Sequence, residues 1–396
     1  MANPPQEQPP SFSLCQGGLF YRIERRLGLV HEPRPDSALR MWVGVAITFL
    51  PLLVLAAIEG VLVGDKVALT LLSDLTVYAR FAVAIPLLVA AERNIDSRLA
   101  DAVRQLRKVE LVGAEVRPEL ESAVRRLERA RDSVLPEAII LVGAFVLGWI
   151  NNHAILGLPV SSWRALTPGV LSSTTLAGHW LDLVSLPLFN FLVYRWLWRI
   201  VLWSLFLWRI SRIEINLIPS HPDGAAGLGF LGGVHAVFGS FLVPVAASVA
   251  ARGVQWVQYG GGTVEFLRNV AIAFAAIGLA VALGPLLVFT PRLIRAKRQG
   301  LLDYGRFADE YTRGFQRKWL GSGRDHAESP LGSGDIQSLA DLGNSYAVVR
   351  SMRVVVPSTR HAITLVLAAA LPMVPFLAFI VPLKQILKVL MNLVMR

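Results

Sequence analysis

"LDLVSLPLFNFLVYRWLWRIVLWSL", residues 181–205, runs for 25 residues with three formal charges, Asp182, Arg195 and Arg199. The hydrocarbon core of a bilayer is about 30 Å thick and a helix rises about 1.5 Å per residue, so about 20 mostly apolar residues cross it. A barrel strand would alternate apolar and polar positions with a period of two, and this stretch does not. It therefore reads as a membrane-spanning helix. Six more stretches pass the same test: Met41–Val63, Leu71–Ala91, Ala138–Leu156, Gly227–Ala251, Val270–Thr290 and Ala362–Val381.

Composition agrees. Of the 396 residues 54% are hydrophobic and only 17% charged, with a mean hydropathy of +0.52. A soluble chain keeps about a quarter of its residues charged. The expected fold is an all-α, polytopic membrane protein of about seven transmembrane helices with cytoplasmic helical segments. The net charge of +11 does not point to nucleic acid, because the basic residues cluster between the apolar runs. Glu92–Pro136 holds ten Arg or Lys and Pro291–His361 holds twelve, whereas the links around Lys66, Arg164 and Arg252 hold few. The positive-inside rule then puts the N-terminus and both basic segments on the cytoplasmic side. The expected organisation is an N-terminal tail (1–40), two spans (41–91), a helical hairpin (92–137), four spans (138–290), a basic segment (291–361), and a last span with an amphipathic tail (362–396).

The single cysteine, Cys15, excludes an internal disulfide and a cysteine metal cluster. "MANPPQEQPPSFSL" lacks the basic start and apolar core of a signal peptide. In the hairpin, Leu99, Val103 and Leu106 repeat at helical spacing, as do Leu120, Val124 and Leu127. Those stripes are narrow and suit mutual packing; docking of a protein partner at 92–137 or 291–361 is the sharper alternative. "LGSGDIQSLADLGNSYAVVRSMRVVVPSTR", residues 331–360, opens a short amphipathic helix with Asp335 at its positive end. This stretch and "NLIPSHPDGAAGLGFLG" resemble segments of a group of uncharacterised bacterial multi-pass inner-membrane proteins. The resemblance implies the architecture and carries no activity.

Ionisable groups at membrane depth cost about 2.5–3.5 kcal/mol each, so they are candidates for function. Glu59, Asp74, Arg80, Asn190 and Arg195 are the candidates for a substrate or ion pathway, with Arg80 and Asn190 deepest. Asn151, Asn152 and His153 cluster near one span end, and His235 lies within another span. Arg195 and Arg199, interleaved with Trp196, Trp198, Trp203 and Trp208, also suit an interfacial belt. Glu59, Asp182, Glu265 and Arg268 lie within reach of headgroups.

"SHPDGAAGLGFLGG", residues 220–233, contains a literal G-x-G-x-x-G, but a membrane helix end precedes it where a dinucleotide fold needs a buried strand. Ser220 and Asp223 have capping-box spacing, which predicts a helix beginning at about Pro222. Gly229 and Gly233 recur at the interval of close-packed membrane helices. His221 and Asp223 form a candidate ion or anion site at that helix entrance. No metal site, cofactor motif or catalytic signature is present in the pattern of residues, and enzymatic activity is not expected. The leading expectation is a channel or secondary transporter; the alternative is a scaffold, assembly factor or sensor acting through the basic segments.

Overall fold

The structure is a computed structural model that describes residues 12–30, 37–108, 111–150, 158–320, 332–377 and 379. Ten helices carry the architecture: α1 (Gly18–Arg26), α2 (Ala38–Ile58), α3 (Leu75–Arg107), α4 (Arg117–Asp132), α5 (Val134–Ile150), α6 (Leu176–Ile210), α7 (Gly229–Tyr259), α8 (Val264–Leu320), α9 (Gly334–Ser351) and α10 (Thr359–Phe376). The chain is 76% helical with no strand among the described residues.

Six helices, α2, α3, α6, α7, α8 and α10, are long and apolar enough to cross a membrane. With α4, α5 makes a seventh candidate, bent by 45° at Ser133. This is the architecture of a helical integral membrane protein. The spans are longer than their apolar cores suggest. α3 continues 16 residues past Ala91, and α8 runs on to Leu320 as a polar helix against α9. The expected span over Gly227–Ala251 continues to Tyr259, which takes Arg252 inside the helix.

Burial orders the bundle. Two thirds of α7's apolar window is buried (67%), against 17% for α2 and for α10. α7 is therefore the central helix, with α3, α8 and α10 packed against it and α6 reaching it through Trp196 and Trp203. Lipid tails are as apolar as Leu, so peripheral helices keep large side chains facing outward. Leu135, Ile139, Val142 and Val146 make such an exposed stripe on α5.

Two helices widen before a proline. Tyr78–Ala84 in α3 and Leu181–Ser185 in α6 are π-helical, and Pro86 and Pro187 follow. A proline offers no N–H and its ring crowds the carbonyl four residues back, so the ladder shifts to the next acceptor. Ile85 N–H reaches the Arg80 carbonyl, and Leu186 N–H reaches that of Leu181. Arg80 thus sits in a turn whose geometry is not that of a regular helix.

At one end of the bundle, the loops 59–74 and 158–175 interlock: Trp163 N–H donates to Leu69 O at 2.8 Å and Leu69 N–H to Ser161 O at 3.1 Å. The other, basic end carries residues 12–30, the α3–α4 hairpin and the loops after α6 and α9. The hairpin stripes meet there, with Leu99, Val103, Leu106, Leu120, Val124 and Leu127 buried in one cluster. Arg107 grips Glu121 through two bonds of 2.8 and 2.9 Å.

Candidate functional site

Asp74 is the N-cap of α3 and only 1% exposed. Its carboxylate accepts five bonds. Thr76 N–H (2.9 Å), Thr76 Oγ1–H (2.6 Å) and Gln255 Nε2 (2.9 Å) reach Oδ1; Trp163 Nε1 (2.9 Å) and Arg164 Nη2 (2.9 Å) reach Oδ2. The donors come from α3, the 158–175 loop and α7, so one buried acid ties three parts of the chain together at the far end. A carboxylate can do this because it accepts at both oxygens and donates at neither.

One and a half turns deeper, Arg80 faces a cavity of about 430 Å³ whose lining includes Phe189, Asn190, Ser248, Arg252 and Trp256. Its Cζ lies 6.0 Å from the Phe189 ring centroid, and its buried Nε has no hydrogen-bond partner. Asn190 Nδ2 donates to Ala144 O at 3.4 Å. The structure thus gathers Arg80 and Asn190, which the sequence singled out, onto one cavity wall. It adds Arg252, which the sequence places in a short link because the apolar run before it ends at Ala251, eight residues short of the helix end. Arg252 is 9% exposed; its Nη1 donates to Gln255 Oε1 at 2.5 Å, and its Nε and Nη2 have no partner. Arg80 and Arg164 are its electrostatic neighbours, with Asp74 the acid among them.

A second polar cluster lies at the basic end, buried and balanced. Glu92 accepts from Arg40 Nη2 (2.7 Å) and Arg199 Nη1 (2.7 Å), with Arg195 Nη1 at 3.6 Å. Arg40 Nε also pairs with Glu24 (2.9 Å), and Arg195 Nε with Glu137 (3.4 Å). Three guanidiniums thus meet three carboxylates. Arg195 and Arg199 are 3% and 4% exposed, so the interfacial reading of these two residues gives way to a buried ion network. The network holds the N-terminal segment. Arg199 Nη2 donates to Cys15 O, Phe20 N–H donates to Glu137, and the Phe20 ring lies 5.0 Å from Arg195 Cζ. Asp96 accepts from Ser13 Oγ, Leu14 N–H and Cys15 N–H. Burial pushes the Glu24 carboxyl up from its usual value, with Arg40 pulling the other way. Burial likewise raises the Cys15 thiol, which keeps it protonated and unreactive.

The 220–233 stretch is built differently from the expected capping box. The helix begins at Gly229, and Ser220 Oγ instead bonds Tyr304 OH at 2.8 Å. Asp223 folds back over the intervening turn. Its Oδ1 accepts from Ala225 N–H (2.8 Å) and Gly227 N–H (3.2 Å), and its Oδ2 from Gly229 N–H (2.8 Å). Despite desolvation, these bonds hold its carboxyl below the usual value. The amides expected to receive an external anion are therefore filled by Asp223 itself, with His221 Nδ1 3.0 Å from the same carboxylate. Gly227 has φ +94° and abuts Leu111. Close approaches in α7 fall at Gly253, against Leu267 of α8, and at Gly232, where an added Cβ would lie 2.5 Å from His361 Nδ1 of α10. Gly233 has open space, and the Cβ of a residue at 229 would meet Asp223 within the same turn.

Other singled-out residues are structural. Glu59 accepts from the N–H groups of Leu176 (2.8 Å) and Ala177 (3.3 Å), capping α6 rather than lining the cavity. His235 is fully buried. Trp203 Nε1–H donates to its Nε2 at 2.9 Å, and its Nδ1 meets Ala282 O at 2.5 Å. An indole can only donate and a carbonyl only accept, so both ring nitrogens are satisfied in one neutral tautomer. Glu265 and Arg268 are exposed at the start of α8. Asn151, Asn152 and His153 lie outside the described residues. Among the described residues no cluster of three or more His, Cys, Asp or Glu is placed to hold a metal ion.

No family model matches the chain, and neither a curated protein nor a solved structure is similar to it.

Proposed function

We propose that the chain is a secondary carrier whose substrate site is the Arg80–Asn190–Arg252 cavity. One observation carries this reading: a ligand-sized cavity among α3, α6, α7 and α8 is lined by Arg80 and Arg252, whose buried Nε atoms, with Arg252 Nη2, have no hydrogen-bond partner. Cavities of 300–1,000 Å³ suit small molecules, and unpartnered charges at membrane depth mark substrate sites. A carrier is favoured over a channel because polar knots interrupt the path on both sides. The Asp74 knot lies about 9 Å along α3 from Arg80, and the Glu92 network about 18 Å the other way. Alternating access requires closures of this kind on either side of a fixed site.

The bacterial inner membrane with a cytoplasmic N-terminus fits the placement of both basic segments at the end that holds residues 12–30. The scaffold reading draws on Leu302, Phe307 and Leu320, which are exposed on the polar extension of α8. The hairpin offers it less, since its apolar stripes are already buried.

The test is flux in liposomes holding the purified chain, under imposed proton, sodium and chloride gradients. Solute movement is expected, lost in Arg80→Leu while the variant inserts and purifies as the parent does. Absence of flux under every gradient, together with stable capture of one stoichiometric protein partner, would replace the carrier by the scaffold.

A further inference from the structure

The far-end cluster is unbalanced. Among the described residues the acid beside Arg80 and Arg252 is Asp74, and its carboxylate is taken by Thr76, Trp163, Arg164 and Gln255. Gln255 is a neutral spacer: it donates to Asp74 through Nε2 and accepts from Arg252 through Oε1. Two guanidiniums, Arg80 and Arg252, therefore line the cavity, each with a buried nitrogen that has no hydrogen-bond partner and, among the described residues, neither with a carboxylate bonded to it. A guanidinium stays charged in proteins and presents planar donors that fit an oxyanion. Leaving such a charge uncompensated in a low-dielectric site is costly, and a bound anion removes that cost.

The rest of the lining sets the ligand's body. Beyond the arginines and the polar groups of Asn190, Ser248 and Trp256, the wall is apolar, made by Phe189, Val193, Val245, Val249, Phe266 and Val270. A small inorganic anion held by the arginines would fill only part of the 430 Å³ and leave this apolar wall uncovered. A cation is repelled, and a polyanion exceeds the two available guanidiniums. Phe266 lines the cavity and is 45% exposed, so the cavity meets the lipid-facing flank of the bundle at α8.

We infer that the cavity binds an anionic amphiphile, its single acidic head between Arg80 and Arg252 and its apolar body along Val245, Val249 and Phe266. The inference names the substrate class of the proposed carrier and rests on that reading for transport, but the binding it states is separable. Two sources share this chemistry: a free long-chain carboxylate and the acidic head of a membrane lipid.

The test uses the full-length chain in a neutral maltoside detergent, with radiolabelled dodecanoate measured by equilibrium dialysis against protein-free micelles. Saturable binding of one dodecanoate per chain is expected, with no saturable binding of dodecanol or dodecyltrimethylammonium. Arg252→Gln and Arg80→Gln each weaken it by about tenfold to a hundredfold, the effect of losing one charge-assisted bond pair. Val249→Trp keeps both guanidiniums, fills the cavity and abolishes binding. Repeating the measurement in nanodiscs distinguishes the sources. Displacement by phosphatidylglycerol supports the lipid head as the resident anion, and no displacement supports the free carboxylate. Equal binding of dodecanol by the unaltered protein overturns the inference, whatever the variants do. So does unchanged dodecanoate binding in folded Arg252→Gln and Val249→Trp. Dodecanoate binding without flux removes the carrier and leaves this site; flux of a hydrophilic solute without dodecanoate binding does the reverse.

Discussion

Asp74→Asn changes one atom and no volume, yet the structure makes it costly. Asparagine has one acceptor oxygen where aspartate has two. With that oxygen toward Thr76 and Gln255, the new NH₂ group points at Trp163 Nε1–H and Arg164 Nη2, two donors at 2.9 Å in the parent. With the amide flipped, the NH₂ group meets Thr76 N–H and Gln255 Nε2 instead. Gln255 cannot turn to relieve this without losing its own bond from Arg252. Either orientation sets the NH₂ group against at least two donors, at about 1–3 kcal/mol each, and removes the anion facing Arg164, which keeps its bond to Thr76 Oγ1 (2.9 Å). A total of about 4 kcal/mol follows. At about 2 °C per kcal/mol for a chain of this size, Tm falls by roughly 8 °C. Thermal unfolding followed by tryptophan fluorescence in detergent reads this directly, and Asp74→Ala falls by a similar amount. An Asn variant within about 2 °C of the parent would show that the five-bond knot is not what closes the far end.

Glu92→Leu strips the acid shared by Arg40, Arg195 and Arg199, a loss of about 3–5 kcal/mol for a buried ion group; trypsin should then cut at Arg22, Arg25 or Arg26 at least about tenfold faster, and adding Arg199→Leu should restore part of the protection. Asp223 has a depressed folded pKa, so its stabilisation is present above the unfolded value of about 3.9 and is lost as pH falls through the folded one. Hydrogen exchange at Ala225, Gly227 and Gly229 should accordingly stay slow from pH 7 to 5 and quicken below about 4, while Asp223→Ala makes it fast throughout at a cost of about 1–2 kcal/mol. Gly232→Ala forces a Cβ against the His361 ring and should lower stability by about 1–3 kcal/mol; Gly233→Ala, in open space, should be neutral or up to about 1 kcal/mol stabilising in the same melt.

Apolar length is a local property, because one segment of about 20 residues carries the whole hydrophobic incentive to cross a bilayer. The stretch 181–205 therefore declares a span on its own, as do the other runs. The charge asymmetry of the links is local in the same sense. Depth is partly legible too, and it singled out Arg80, Asn190 and Asp74. Partnership is not. Asp74 is held by Trp163, Arg164 and Gln255, between 89 and 181 residues away, and no periodicity within one helix encodes such distances. Arg252 went unnoticed because the apolar run before it suggested a helix end, whereas packing around the central helix carries the chain on to Tyr259. Its buried neighbours Ser248 and Gln255, four residues before and three after on the same face, were the available signal. Glu92, Arg40 and Glu137 lie at the edges of apolar runs, and only the fold closes them into one network with Arg195 and Arg199. The sequence by itself determined which segments enter the membrane, since that depends on transfer from water to lipid one helix at a time. Tertiary structure decided which buried charges neutralise one another and which two are left facing a cavity, since that depends on groups brought together from distant parts of the chain.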